Sequence, residues 1–215
     1  MTGLVHGLRS TPSALLLAAQ LAAVLAYPFL DDTVAGRAVL GVIQLVVVLS
    51  AVAAVRPTPA LTWVTLLMGA PAMVFAVGEA VAPQTGWVVL LSAIFHVPFY
   101  GYVSWSLIRY LFHDEIVTRD ELYATGAAFT VVAWAFAYVY AAAQVVWPGS
   151  FGEARQWFDL LYLSFTTLTS VGLSDIVPVL PNARSLVMLE QVAGVFYVAL
   201  VVARLVGLAA RRRNL

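Results

Sequence analysis

The sequence contains no cysteine and no lysine, and only 10% of its 215 residues are charged. Without cysteine, neither a disulfide framework nor a thiolate metal site is available. Soluble globular domains have about 25% charged residues, so the low charge excludes an ordinary water-soluble fold. Hydrophobic residues make up 62% of the chain, and the mean hydropathy is +0.93. The composition is therefore that of a membrane protein.

Long apolar segments without Asp, Glu or Arg divide the chain, and each can cover about 30 Å of hydrocarbon as a helix. They are 14–30, 38–55, 57–78, 80–108 and 122–147. A final segment, 184–210, is also long enough to span a membrane. The pattern predicts an all-α membrane protein with six transmembrane helices.

The charged residues alternate in sign between successive span ends. Most arginines lie at one set of ends: Arg56, Arg109, Arg119 and 211–213. Acidic residues dominate the other set: Asp31, Asp32, Glu79 and the region 153–175. The positive-inside rule then predicts a multi-pass protein of the cell membrane with cytoplasmic N and C termini. Segment 14–30 also has features of a secretory signal peptide, but its length favours a span.

Segment 153–168 has apolar residues at helical spacing but is too short to cross a bilayer, which is typical of a re-entrant helix. The polar decapeptide TTLTSVGLSD at 166–175 has no regular periodicity. Irregular backbone at membrane depth requires protein or a water-filled cavity around it. The helix end carries partial negative charge, and the hydroxyls of Thr169 and Ser170 offer oxygen ligands. These features predict a cation-binding re-entrant loop.

The segment TTLTSVGLSDIVP resembles the pore loop of tetrameric potassium channels, whose filter reads T-V-G-Y-G followed by Asp. The residues at the family spacing are Thr169, Val171, Gly172, Asp175 and Pro178. In that family, four loops surround one axis, and rings of carbonyls replace the hydration shell of the ion. The resemblance implies a homotetramer in the bilayer that needs no cofactor, with K⁺, or alternatively Na⁺, as the permeant ion.

The resemblance also assigns roles within the filter, which is residues 169–175. Ser170 matches the filter threonine, Val171 the valine and Gly172 the first glycine. The hydroxyl of Ser170 and the backbone carbonyls of Ser170, Val171 and Gly172 are the implied K⁺ ligands. Asp175 matches the aspartate at the outer mouth.

Two filter residues depart from the family pattern. Leu173 stands where the family has tyrosine, and Ser174 replaces the second glycine. That glycine is left-handed in the family, which would cost a residue with a Cβ about 1–2 kcal/mol, or about 4–8 kcal/mol over four subunits. We therefore expect the carbonyls of Leu173 and Ser174 to turn away from the ion path while those of Ser170 and Val171 keep the family geometry. Potassium-over-sodium discrimination should be weaker than in the family.

Glu190, in the last span, is a carboxylate at membrane depth and so a functional candidate. Its position beside the re-entrant helix favours a role in filter support, through bonds to Thr166, Thr167 or Tyr162. Lining the ion path is the alternative.

Two residues further along the last span are gating candidates. Arg204 is expected to meet an acidic residue of the preceding linker, Glu115, Asp120 or Glu121, because it is too far from Glu190 to pair with it. Gly194 fits a hinge and a site of close helix packing equally well.

The fourth span lacks the arginine array of a voltage sensor, since its first arginine is Arg109 at the end. We therefore expect weak voltage dependence. His96, within this span, is either a proton sensor or, as we prefer, a histidine bonded to a neighbouring helix.

The predicted organisation has three parts. Residues 1–112 form a peripheral four-helix transmembrane domain, 113–121 a cytoplasmic linker and 122–215 a pore domain. The pore domain comprises an outer helix 122–147, a pore helix 153–168, the filter 169–175 and an inner helix 184–210. The sequence predicts a passive potassium-type channel rather than an enzyme, with no nucleic-acid or soluble partner. The alternatives are a poorly selective cation channel and a non-conducting structural or regulatory subunit.

Overall fold

The computed structural model describes residues 12–30, 33–55, 62–81, 85–112 and 118–213. Within these ranges the chain forms seven helices and no strand. They are α1 (Pro12–Leu30), α2 (Val34–Val55), α3 (Thr62–Val81), α4 (Gly86–Leu111), α5 (Arg119–Val146), α6 (Trp157–Leu168) and α7 (Pro181–Arg213). Asp31, Asp32 and Arg56, which enter the charge argument, lie outside the described residues, and so does Glu115, one of the predicted partners of Arg204.

Four helices are long and apolar enough to cross a membrane: α1, α4, α5 and the Pro181–Arg204 part of α7. The apolar stretches of α2 and α3 are shorter, at Val39–Ala54 and Trp63–Glu79. α6 has 12 residues, about 18 Å of helix, which cannot span the hydrocarbon. The chain is an all-α membrane protein, as its composition predicts.

The ends of α5 follow local sequence signals. The hydroxyl of Thr118 accepts a hydrogen bond from the backbone N–H of Glu121 at 3.2 Å, so Thr118 caps the helix and α5 begins at Arg119, three residues before the predicted start at 122. At the other end, Pro148 cannot continue the helix, and Gly149 takes a positive φ of 87°. α5 ends at Val146, close to the predicted end at 147.

α6 starts at Trp157, four residues later than the predicted start at 153. The side chain of Gln144 holds the backbone of Arg155 from both sides, accepting from its N–H at 3.0 Å and donating to its carbonyl at 2.9 Å. The N–H of Gln156 then donates to the carboxylate of Asp159 at 3.2 Å. The turn is thus fixed to α5 before the helix can begin. α7 begins earlier than predicted, at Pro181, because proline suits a first helical position.

α5 is the central helix of the fold, because four other helices pack on it. α1 to α4 pack successively on one another, and α1 and α4 both pack on α5. α6 packs on α5, and α7 packs on α5 and α6. Polar contacts tie the first helix to α5, since the N–H and hydroxyl of Ser13 donate to Asp120 at 3.1 and 3.0 Å. The hydroxyl of Thr130 donates to Gln20 at 2.7 Å.

Candidate ion filter

The chain reverses direction where α6 ends at Leu168. The N–H groups of Ser170 and Gly172 donate to the carbonyls of Thr167 and Thr166, at 2.9 and 3.0 Å. Two of the last carbonyls of α6 are thereby satisfied within the loop. The predicted irregular segment is therefore anchored to the end of the short helix that precedes it.

The non-glycine filter residue with a positive φ is Ser170, and not Ser174. Ser174 is not left-handed; its N–H donates to the carbonyl of Gly172 at 3.0 Å, and its hydroxyl accepts from the N–H of Ile176 at 3.1 Å. Ser170, by contrast, has a φ of +59° and is the one described non-glycine residue with a positive φ. A residue with a Cβ pays about 1–2 kcal/mol in this conformation, so Ser170 carries a cost that the sequence does not predict. Gly172 takes its own positive φ of 69° without that cost.

The carbonyl of Leu173 points toward α6. The phenol of Tyr162 donates a hydrogen bond to it, with an oxygen–oxygen distance of 2.5 Å. The sequence predicts that this carbonyl turns away from the ion path, and that prediction stays open on a single chain. The leucine side chain itself is 72% exposed.

The filter residues and one side of α7 are exposed on the single chain. Val171 is 60% exposed, and Thr169, Ser170, Gly172 and Asp175 are exposed as well. Large apolar side chains of α7 are also exposed: Met188, Leu189, Val192, Val195, Phe196 and Leu200. The filter therefore lies next to an apolar helix surface that no part of the described chain covers.

Glu190 lies beside α6, as predicted, but its predicted hydrogen-bond partners are wrong. Its carboxylate is fully buried and accepts hydrogen bonds from the hydroxyls of Tyr140 and Ser164. Thr166 instead donates to the carbonyl of Leu163, on its own helix. The sequence analysis did not predict Tyr140 of α5 and Ser164 of α6 as these partners.

Gly194 lies in a close contact between α7 and the end of α6. A Cβ at this position would overlap the carbonyl oxygen of Leu168. Of the two interpretations of Gly194, close packing is the one that its surroundings favour. The contact joins the inner helix to the residue that precedes the filter.

Arg204 pairs with one of its predicted partners. Its guanidinium lies 3.0 Å from the carboxylate of Glu121 and 5.5 Å from the ring centre of Phe112. Asp120, another predicted partner, binds Ser13 instead. The α7 helix is thus joined to the start of α5 near the linker.

His96 is bonded within its own helix rather than to a neighbour. Its Nδ1 lies 3.0 Å from both the hydroxyl and the carbonyl oxygen of Ser92. The contact with a neighbouring helix is a stacking contact, with ring centres of His96 and Tyr138 4.2 Å apart. The predicted hydrogen bond to a neighbouring helix is therefore wrong. The contacts of His96 with Ser92 and Tyr138 are those of a packed residue.

A family model described as Ion channel matches residues 126–211. The chain contains an ion-channel domain. The match covers less than half of the chain but includes nearly all of α5, the whole of α6, the filter and most of α7. Every predicted filter residue lies within the ion-channel domain, whereas α1 to α4 precede it. Comparisons with curated proteins and with solved structures return no match.

Proposed function

We propose that the chain assembles as a homotetramer and conducts monovalent cations passively through four filter segments around one axis. Its ion-channel domain contributes one re-entrant helix and one filter, so one chain cannot surround an ion. The exposed filter and the apolar surface of α7 provide a face for further copies. An enzymatic role is not part of the proposal.

We propose K⁺ as the main permeant ion, with Ser170, Val171 and Gly172 as ligands through their carbonyls and the Ser170 hydroxyl. The negative end of the α6 dipole lies next to these residues, which favours a cation. Oxygen ligands suit a hard monovalent cation. Asp175 is exposed at the end of the filter and adds negative charge there.

The observation that carries the selectivity proposal is the hydrogen bond from Tyr162 to the carbonyl of Leu173. A carbonyl that accepts from a phenol on its own α6 is not directed at a shared axis. The filter then loses one ring of four carbonyls. Because ordered carbonyl sites discriminate between K⁺ and Na⁺, fewer rings weaken that discrimination.

Gating is proposed not to involve an arginine array. α4 carries one arginine, Arg109, in its last turn, so no ladder of charges can move along it. The conductance should therefore vary only weakly with voltage. Arg204 and Gly194 are proposed to hold α7 at two points, near the linker and beside α6, in one conformation of the channel.

Conduction and selectivity are tested together in planar bilayers with K⁺ on one side and Na⁺ on the other. A tenfold permeability ratio corresponds to a reversal potential of about 59 mV. We expect a smaller magnitude for the wild type and a larger one for the double variant Leu173→Tyr/Ser174→Gly. A strongly K⁺-selective wild type would contradict the selectivity argument. If neither protein carries an ion current, the result would favour a non-conducting subunit.

The role of Tyr162 is tested by Tyr162→Phe, which removes the phenol and keeps the ring. The freed carbonyl of Leu173 can then turn toward the axis, so the reversal potential should move toward the K⁺ equilibrium potential. Tyr123→Phe, at an exposed tyrosine near the start of α5, is the matched control. An unchanged reversal potential in Tyr162→Phe would show that the hydrogen bond does not limit selectivity.

The proposed orientation places both termini in the cytoplasm and the loop before α6 outside. The chain has no cysteine, so single cysteines can be introduced without removing others. A membrane-impermeant thiol reagent added to intact cells should label Glu153→Cys and not Thr118→Cys. The reverse pattern would invert the orientation.

A further inference from the structure

A cavity of about 590 Å³ lies between the first four helices and the channel domain. It is formed where α5 ends and α6 begins, and its walls come from α1 to α6 and from the turn before α6. Cavities of this size hold small organic ligands in many proteins. The cavity does not include any filter residue.

One wall of the cavity is aromatic. The rings of Tyr27 and Phe158 stack with centres 4.4 Å apart, and Trp157 adjoins Tyr27 at 6.4 Å. Gln44 and Glu79, from α2 and α3, also line the cavity. Aromatic faces attract ammonium groups through their quadrupoles, and a carboxylate adds a full opposite charge. These residues suit a cationic group.

Two opposite charges line the cavity, and the structure does not pair them. Glu79 is the one acidic and Arg155 the one basic residue among the described residues that form its walls. No ion pair joins them in the described part of the chain. Glu79 accepts a long hydrogen bond from Tyr138, at 3.4 Å, and a side-chain hydrogen bond from Ser92, but it has no cationic partner among the described residues. Charged groups in such a site are normally paired, so each has capacity for a ligand.

The two charges lie at different depths. Glu79 is level with Tyr138, whereas Arg155 is fixed beside Gln144, six residues or about 9 Å further along α5. The Nε of Arg155 is buried and has no hydrogen-bond acceptor among the described residues. A buried donor without an acceptor calls for an explanation, and an anionic ligand group beside Arg155 supplies one.

We propose that this cavity binds a dipolar molecule that carries an ammonium group and, a few bonds away, an anionic group. The ammonium group lies between Glu79 and the aromatic wall, and the anionic group lies beside Arg155. A ligand of this kind pairs both charges and adds no net charge to the cavity. Either a free amino acid or the headgroup of an aminophospholipid has this chemistry. The occupant touches Trp157 and Phe158, the first two residues of α6.

Binding is measured on the full chain in nanodiscs made only of phosphatidylglycerol, which lacks an ammonium group. Isothermal titration calorimetry compares two dipolar probes, glycine and glycerophosphoethanolamine, with the single-charge probes ethanolamine and glycerol 3-phosphate. We expect at least one dipolar probe to bind about tenfold more tightly than either single-charge probe. Glu79→Gln and Arg155→Gln should each weaken it about tenfold. Glu153→Gln and Arg184→Gln, at exposed positions outside the cavity, are the matched controls and should not weaken the binding of the dipolar probe.

A second arm decides the source of the ligand. Nanodiscs containing phosphatidylethanolamine are analysed by native mass spectrometry for lipid retained on the protein. Retention that Glu79→Gln abolishes identifies a lipid headgroup, and binding of glycine alone identifies a soluble ligand. The proposal is overturned if neither binds, or if ethanolamine binds as tightly as the dipolar probes. That comparison needs only the wild type, so it stands even if a variant does not fold. No ion current is measured, so the result is independent of the proposed conduction.

Discussion

Replacing Tyr140 by phenylalanine tests whether the carboxylate behind α6 holds the channel domain together. Tyr140 and Glu190 are both fully buried, and the phenol donates to one carboxylate oxygen. Phenylalanine keeps the ring and its packing against Phe151, whose centre lies 5.3 Å away. The substitution therefore removes one donor from a buried acceptor and changes little else.

Two magnitudes bound the effect. Leaving a buried acceptor without its partner costs about 1–3 kcal/mol, with charged groups at the upper end. Hydrogen bonds between membrane helices average only about 0.6 kcal/mol, because the unfolded chain in the membrane also finds partners. Since the acceptor is a carboxylate without solvent exposure, we expect Tyr140→Phe to lower the free energy of unfolding by about 1–2 kcal/mol. Glu190→Gln keeps an acceptor for Tyr140, and Ser164 can turn to the carbonyl of Ala133 at 2.8 Å. Glu190→Gln should therefore lower the free energy of unfolding by less than Tyr140→Phe does.

The assay is reversible unfolding in mixed micelles, followed by circular dichroism, for both variants and for Tyr123→Phe. Tyr123 is exposed, so its variant should stay within about 0.5 kcal/mol of the wild type. If Tyr140→Phe is as stable as Tyr123→Phe, the Tyr140–Glu190 contact does not stabilise the fold. If Glu190→Gln costs more than Tyr140→Phe, the carboxylate acts mainly through another partner.

Two further predictions concern contacts of α7 with α6 and α5. Gly194→Ala should destabilise the protein by about 1–3 kcal/mol, because its Cβ overlaps the carbonyl of Leu168, whereas Gly101→Ala, at an open position, should not lower the melting temperature. Glu121→Gln should cost about 3–5 kcal/mol because it removes the negative charge that faces Arg204, and adding Arg204→Met should restore much of the loss. Equal melting temperatures for the two alanine variants, or no recovery in the double variant, would contradict these assignments.

The sequence predicts the helices well because apolar length and local end signals determine them. The cap at Thr118 and the stop at Pro148 depend on neighbouring residues, which are visible in the sequence. The start of α6 is predicted four residues early because contacts with Gln144, on another helix, hold Arg155. An end set by a distant side chain leaves no local signal.

The filter shows the same division. Its position after a short helix follows from the sequence, and the ion-channel match includes it. The sequence does not predict that Ser170 takes the left-handed conformation, because the hydrogen bonds from Ser170 and Gly172 back to α6 determine it. The partners of Glu190 were also missed, since Tyr140 is fifty residues away in the chain. Pairing between helices requires their relative rotation, which periodicity does not supply.

The contact between Ser13 and Asp120 has a consequence for synthesis on the ribosome. The two residues are 107 positions apart, yet the carboxylate of Asp120 caps the first turn of α1. At about 5–20 residues per second, about 5–20 s pass between translation of the two. During that interval the first turn of α1 lacks this cap. α1 therefore reaches its final polar contacts only after the start of α5 has been translated.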